Sequence, residues 1–88
     1  MKYRLSVHYM DCYYSYSFDD SLDFWRMELP NEFVIDIFKE HNHSYYFKAF
    51  FYNSKRIYSN IYCNSKYKLF GAIQKLLQEE LYHVVQFP

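Results

Sequence analysis

Residues 43–63, HSYYFKAFFYNSKRIYSNIYC, read as two strands joined by a polar turn at Asn53, Ser54 and Lys55, and they carry aromatic rings on both faces. One face of the first strand holds Tyr45, Phe47, Ala49 and Phe51; the other holds Tyr46, Lys48, Phe50 and Tyr52. The returning strand sets Ile57, Ser59, Ile61 and Cys63 against the first row, and Arg56, Tyr58, Asn60 and Tyr62 against the second. Successive side chains of a strand point to opposite faces. A single covering layer can therefore bury one row only, and the second row needs another layer of the chain or another molecule.

The same period of two recurs at the start, where Tyr3, Leu5, Val7 and Tyr9 alternate with Lys2, Arg4, Ser6 and His8 and predict a strand over 2–10. Residues 12–18 continue the alternation after a turn at Met10 and Asp11, which predicts a hairpin. FDDSLD (18–23) reads as a polar loop. FWRMEL (24–29) reads as a short strand with Trp25 in the core, the alternative being a helix capped by Asp20 or Ser21 and running to Pro30. In NEFVIDIFKEH (31–41), Val34, Ile37, Phe38 and His41 stand at helical spacing behind Pro30 and Asn31, with Asn42 placed to close the segment, so a helix is predicted. Its β-branched residues are also compatible with a strand.

The strongest helical pattern is KYKLFGAIQKLLQEE (66–80), capped by Asn64 or Ser65, with Leu69, Phe70, Ile73, Leu76 and Leu77 in one stripe. Gly71 beside that stripe suggests close helix-to-sheet packing. LYHVVQF (81–87) reads as a closing strand. This order matches a ferredoxin-like βαββαβ plan within the α+β class, with an inserted hairpin after the first strand and two helices on one face of an antiparallel sheet. One domain over 1–88 is expected, since a chain of 88 residues is near the small end of what buries its own core.

Composition removes several classes of function. With 51% hydrophobic residues, one Gly and two Pro, the chain is far from the composition of disordered proteins. One glycine builds neither a phosphate-binding loop nor a dinucleotide fingerprint. Cys12 and Cys63 lack CxxC spacing, and the alternating start has no signal-peptide core, so a reducing, cytoplasmic setting is expected. No apolar run reaches membrane-spanning length, so no membrane is expected. His41 and His43 with distant His8, His83, Cys12 or Cys63 would be the raw material of a metal site, but an HxH pair alone reads as a polar helix end. Asp19, Asp20 and Asp23 lack the spacing of a calcium loop. No metal, no cofactor and no enzymatic activity are predicted.

Formal net charge is zero, yet the charges are segregated along the chain. Residues 11–40 carry eight acids and two bases, while 41–78 carry six bases and no acid. In the plan above, the second row of the hairpin gathers Tyr46, Phe50, Tyr52, Tyr58 and Tyr62 with Lys48 and Arg56, joined by Lys2, Arg4 and His8 from the first strand. That is a Tyr-rich, basic sheet face, and Tyr and Arg are enriched where proteins meet. The structural alternative has residues 12–29 folding over these rings and making them core. Aromatics with bases on an open ferredoxin-like sheet also resemble RNA-recognition domains, which stack bases. KAFFY, however, lacks the glycine of that family's motif.

A compact, aromatic chain of this size, rich in residues of AT-rich codons and free of catalytic motifs, resembles the small proteins with which phages and viruses block host defence, anti-CRISPR proteins among them. The resemblance implies steric inhibition of a host protein or nucleoprotein complex in the host cytoplasm. Asp11, Asp19, Asp20, Asp23, Glu28 and Glu32 would then stand in for phosphates, and the Tyr-rich basic face would be a second contact surface. A single-stranded RNA- or DNA-binding domain is the alternative, and a second copy of the chain is a further partner left open.

Overall fold

The computed structural model describes residues 2–41, 44–52 and 57–86, with the side chains of 57–60 and 86 outside that description. β1 (Lys2–Tyr9) and β2 (Cys12–Asp19) pair in an antiparallel hairpin that runs from Lys2↔Asp19 to Tyr9↔Cys12. Met10 and Asp11 between them both take positive φ, 49° and 68°. Such left-handed pairs match the twist of the flanking strands. β7 (His83–Gln86) pairs with the other edge of β1, giving a three-stranded sheet in the order β2-β1-β7.

β3 (Phe24–Leu29), β4 (Phe33–Lys39), β5 (Tyr45–Phe51) and β6 (Ile57–Cys63) form a second antiparallel sheet in chain order. α1 (Lys66–Glu79) leads from β6 to β7. Ser65 caps it, its hydroxyl accepting from the Lys68 N–H at 3.2 Å. The protein is thus α+β and mostly antiparallel, with one helix among the described residues. None of its helices is long and apolar enough to cross a membrane, among the described residues.

Two expectations are corrected here. The segment predicted as a helix over 31–41 is strand β4. It is central, paired with β3 on one side and β5 on the other, and Phe33 through Ile37 are all buried. A strand buried on both faces shows no alternation, and its run of apolar residues matched helical spacing by coincidence. Its stiff Val34, Ile35 and Ile37 side chains favour the extended form. The second correction concerns layout: the strands divide into two sheets, so a single sheet with two helices on one face is not formed.

The core lies between the inner faces of the two sheets and the apolar stripe of α1. Leu5, Val7 and Phe18 enter it from the small sheet, Met27, Ile35 and Phe47 from the large one, and Leu69, Ile73 and Leu77 from the helix. Phe18 is the aromatic junction, in edge-to-face contact with Trp25, Tyr45 and Phe70 at 5.5–6.0 Å between centroids. At the other end Tyr82 stacks on Tyr9 at 4.5 Å and donates its hydroxyl to the Pro30 carbonyl at 2.5 Å. This ties the end of α1 to the turn between β3 and β4. Gly71 does not mark close packing as expected: it is exposed, and a Cβ built there would meet nothing within 4 Å.

Candidate functional site

The inner row of the opening hairpin, Tyr45, Phe47 and Ala49, is buried in the core, which answers half of the question its sequence raises. The second row lies on the outer face of the large sheet. There the ladder registers align residues of all four strands into rows. Phe24 pairs with Phe38, Phe38 with Tyr46, and Tyr46 with Tyr62. An aromatic row therefore crosses the sheet from edge to edge. Ring centroids are 5.0 Å apart for Phe24 and Phe38 and 5.8 Å for Phe38 and Tyr46. Phe24 is 46% exposed and Tyr62 59%, while Phe38 and Tyr46 between them are half-buried.

The adjacent row is charged: Arg26 pairs with Asp36, and Asp36 with Lys48. Arg26 grips Asp36 with two parallel bonds, Nε to Oδ1 at 2.6 Å and Nη2 to Oδ2 at 2.9 Å. Asp36 is only 6% exposed although no second layer lies on this face among the described residues, because its neighbours' side chains close over it. Bonding to Asp36 raises the Arg26 guanidinium pKa further. Lys48 leans toward Phe50, its Nζ 5.8 Å from the ring centroid.

Beyond this row, Tyr52 at the end of β5 is 48% exposed and turns its hydroxyl toward β3, with Arg26 Nη1 at 3.3 Å and Glu28 Oε1 at 3.5 Å. To reach β3 from β5 the ring crosses β4, which accounts for a Val34 that is 1% exposed. Phe50 meets Tyr52 edge-on at 5.9 Å. Among the described residues, Arg26 and Lys48 stand on this face with Asp36 and Glu28, between the aromatic rings.

The predicted composite face is only partly assembled. Tyr46, Lys48, Phe50, Tyr52 and Tyr62 share this surface, uncovered by residues 12–29, since β2 joins the small sheet and β3 lies at the edge of the large one. Arg56 and the side chain of Tyr58 lie outside the described residues. Lys2, Arg4 and His8 do not belong to it. β1 pairs with β2 and β7, so these residues face outward from the other sheet. Among the described residues, Arg26 and Lys48 share this surface with Asp36, Glu28 and the rings.

The predicted acidic set does not converge either. Asp11 and Asp19 stand at opposite ends of β2, roughly 25 Å apart at the rise of an extended strand. Glu32 lies in the turn after β3, which Tyr82 joins to the Asp11 end. Asp19 accepts from the Ser21 hydroxyl at 2.7 Å and the Ser21 N–H at 3.0 Å, and these bonds lower its pKa. Asp20 pairs with Lys66 at 3.0 Å, and Lys66 also donates to Tyr3 at 2.6 Å. Asp23 lines an open cleft of about 420 Å³ with Lys39, Glu40 and His41. Glu28 reaches the aromatic face through the Tyr52 hydroxyl, and the Glu32 carbonyl accepts from the Tyr52 N–H at 3.1 Å.

Sequence reasoning missed Phe24, Arg26, Asp36 and Phe38. Phe24 and Arg26 were legible as the outward parity of FWRMEL, but the helical reading of 31–41 removed the strand that sets Asp36 and Phe38 beside them. Among the described residues, no group of three or more His, Cys, Asp or Glu is placed to hold a metal. No protein-family model matches this chain, and neither a curated protein nor a solved structure matches it.

Proposed function

We propose that the protein is a non-catalytic binding module that docks a partner protein on the outer face of its large sheet. Its closest functional type is the small phage or viral inhibitor that blocks a host defence or nucleic-acid-processing complex by occupying a surface. The observation that carries this reading is the uncovered row Phe24–Phe38–Tyr46–Tyr62 beside charges that satisfy one another. Rings held by cross-strand neighbours bring large contact area at little cost in side-chain entropy, as interface anchors do. Natural surfaces seldom leave such a row in water without use.

Nucleic-acid binding is the weaker reading on the same face. Stacking platforms need cations that follow the phosphates, and affinity rests on them. Here Arg26 is held by Asp36, and Lys2 and Arg4 point from the other sheet. The acidic residues support phosphate mimicry less well, being spread over both ends of the molecule.

The test compares the wild type with Phe24→Ser/Tyr62→Ser, two exposed edge positions whose replacement leaves the core intact. Circular dichroism first establishes equal folding. The wild type should retain a specific host protein from lysate that the variant releases, and purified partner should bind with an affinity lowered at least tenfold by the double change. An unchanged affinity would dismiss this face as the contact surface. A gel shift with single-stranded RNA or DNA that fades steeply with salt would instead favour the nucleic-acid reading.

A further inference from the structure

On the small sheet, β7 pairs with β1 so that His8 stands directly opposite His83. Directly opposed residues of an antiparallel pair share a face, with Cβ atoms about 4.5–5.5 Å apart. That face is the outer one, because the next pair along the ladder, Val7 and Val84, turns inward: Val7 is fully buried and Val84 packs against the core. His83 is exposed and His8 half-buried, its ring 4.7 Å from Tyr13 on the neighbouring strand. Among the described residues, neither imidazole has a hydrogen-bond partner, so the lone pairs of both rings are unengaged.

We propose that His8 and His83 form a two-imidazole chelate for a borderline transition-metal ion of the Zn²⁺, Ni²⁺ or Cu²⁺ class. Two nitrogens bound at about 2.0–2.1 Å to one such ion lie close to 3 Å apart, a span that opposed side chains bridge by modest χ rotation. Imidazole suits these metals, whereas hard cations take oxygen ligands, and the outward neighbours of the pair on β1 and β2 are Ser6, Ser15 and Tyr13, none of them a carboxylate. Water completes the coordination sphere. The two histidines are 75 positions apart in sequence, and only the β1–β7 pairing makes them neighbours.

The chelate has a structural consequence. β7 has four residues and lies at the sheet edge, so its attachment rests on a short ladder with a bulge between Ser6 and Val7. A metal bridging His8 and His83 fastens β7 to β1. Binding to the folded state alone raises the melting temperature as metal exceeds its dissociation constant.

The experiment is thermal unfolding of the full chain with and without Ni²⁺, each protein compared with its own metal-free melt. At one hundred times the dissociation constant the wild type should melt on the order of 10 °C higher. His8→Gln and His83→Gln should each lose that increment, while Cys12→Ser and His41→Ala/His43→Ala keep it. Calorimetry should give one ion per chain with the chain monomeric. The proposal is overturned by an unmoved wild-type melt at millimolar Ni²⁺, by an increment that survives His83→Gln or disappears with His41 and His43, or by one ion shared between two chains.

Discussion

Replacing Arg26 by Met should destabilise the protein by about 2 kcal/mol. Arg26 gives Asp36 two charge-assisted bonds, at 2.6 and 2.9 Å, and hydrogen bonds to charged groups contribute about 1.5–3 kcal/mol each. With Asp36 only 6% exposed, water replaces them poorly. Two effects reduce the loss. The Arg26 side chain is 40% exposed, so solvent already screens part of the attraction. Lys48 also stands across the ladder from Asp36 and can take up one carboxylate oxygen. For a domain of this size, 2 kcal/mol corresponds to a fall in melting temperature on the order of 10 °C. Urea unfolding of Arg26→Met, Asp36→Leu and the double variant closes a thermodynamic cycle. Removing both partners leaves no stranded charge, so the double variant should be at least 1 kcal/mol more stable than the two single effects added together. A single-variant cost below about 0.5 kcal/mol, or strict additivity, would refute the account of Asp36 as a carboxylate kept in place by its arginine.

Leu81→Gly should stabilise by about 0.5–1 kcal/mol, because Leu81 holds φ at 67° just past the helix end, where glycine is favoured, and is 85% exposed, so little burial is lost; urea midpoints read this directly. Tyr82→Phe should cost about 1–2 kcal/mol in the same assay, since it deletes the hydroxyl that the Pro30 carbonyl accepts at 2.5 Å; an unchanged midpoint would remove that tie from the fold. Burial pushes the Tyr16 phenol up to about 12 and raises those of Tyr45 and Tyr82. Phenols raised in the folded state stabilise it fully below the ordinary value near 10, and this is lost as pH climbs toward the folded value. Urea midpoints should therefore fall from about pH 10 upward, less steeply in Tyr16→Phe, and a flat profile through that window would contradict the burial of these rings.

Much of the fold was legible where one face of an element meets water. β1 shows its alternation because Lys2, Arg4 and Ser6 face out while Leu5 and Val7 face in, and α1 shows its stripe and Ser65 cap for the same reason. β4 was illegible because both faces are filled, one by the core and the other by Tyr52 and Arg26 from flanking strands. Beyond the two predicted hairpins, β1–β2 and β5–β6, which strands share a sheet was not readable. Lys2 on β1 and Lys48 on β5 have the same local signature, an outward base in an alternating strand, and only pairing separates them.

That separation also explains the segregated charges. The acid-rich part of the chain supplies β4 with Asp36, and the acid-free part supplies β5 with Lys48, and the β4–β5 register sets one against the other. Opposite charges at directly opposed positions favour that register over a slip, which would turn every side chain to the wrong face. The same logic applies where Asp20 of the acidic part meets Lys66 of the basic part at the start of α1. On the β3 side, Asp36 meets Arg26, one of only two bases in residues 11–40. Among the described residues, the two halves of a bipolar sequence thus meet as opposed charges, and the rings between them form the surface proposed above as the contact.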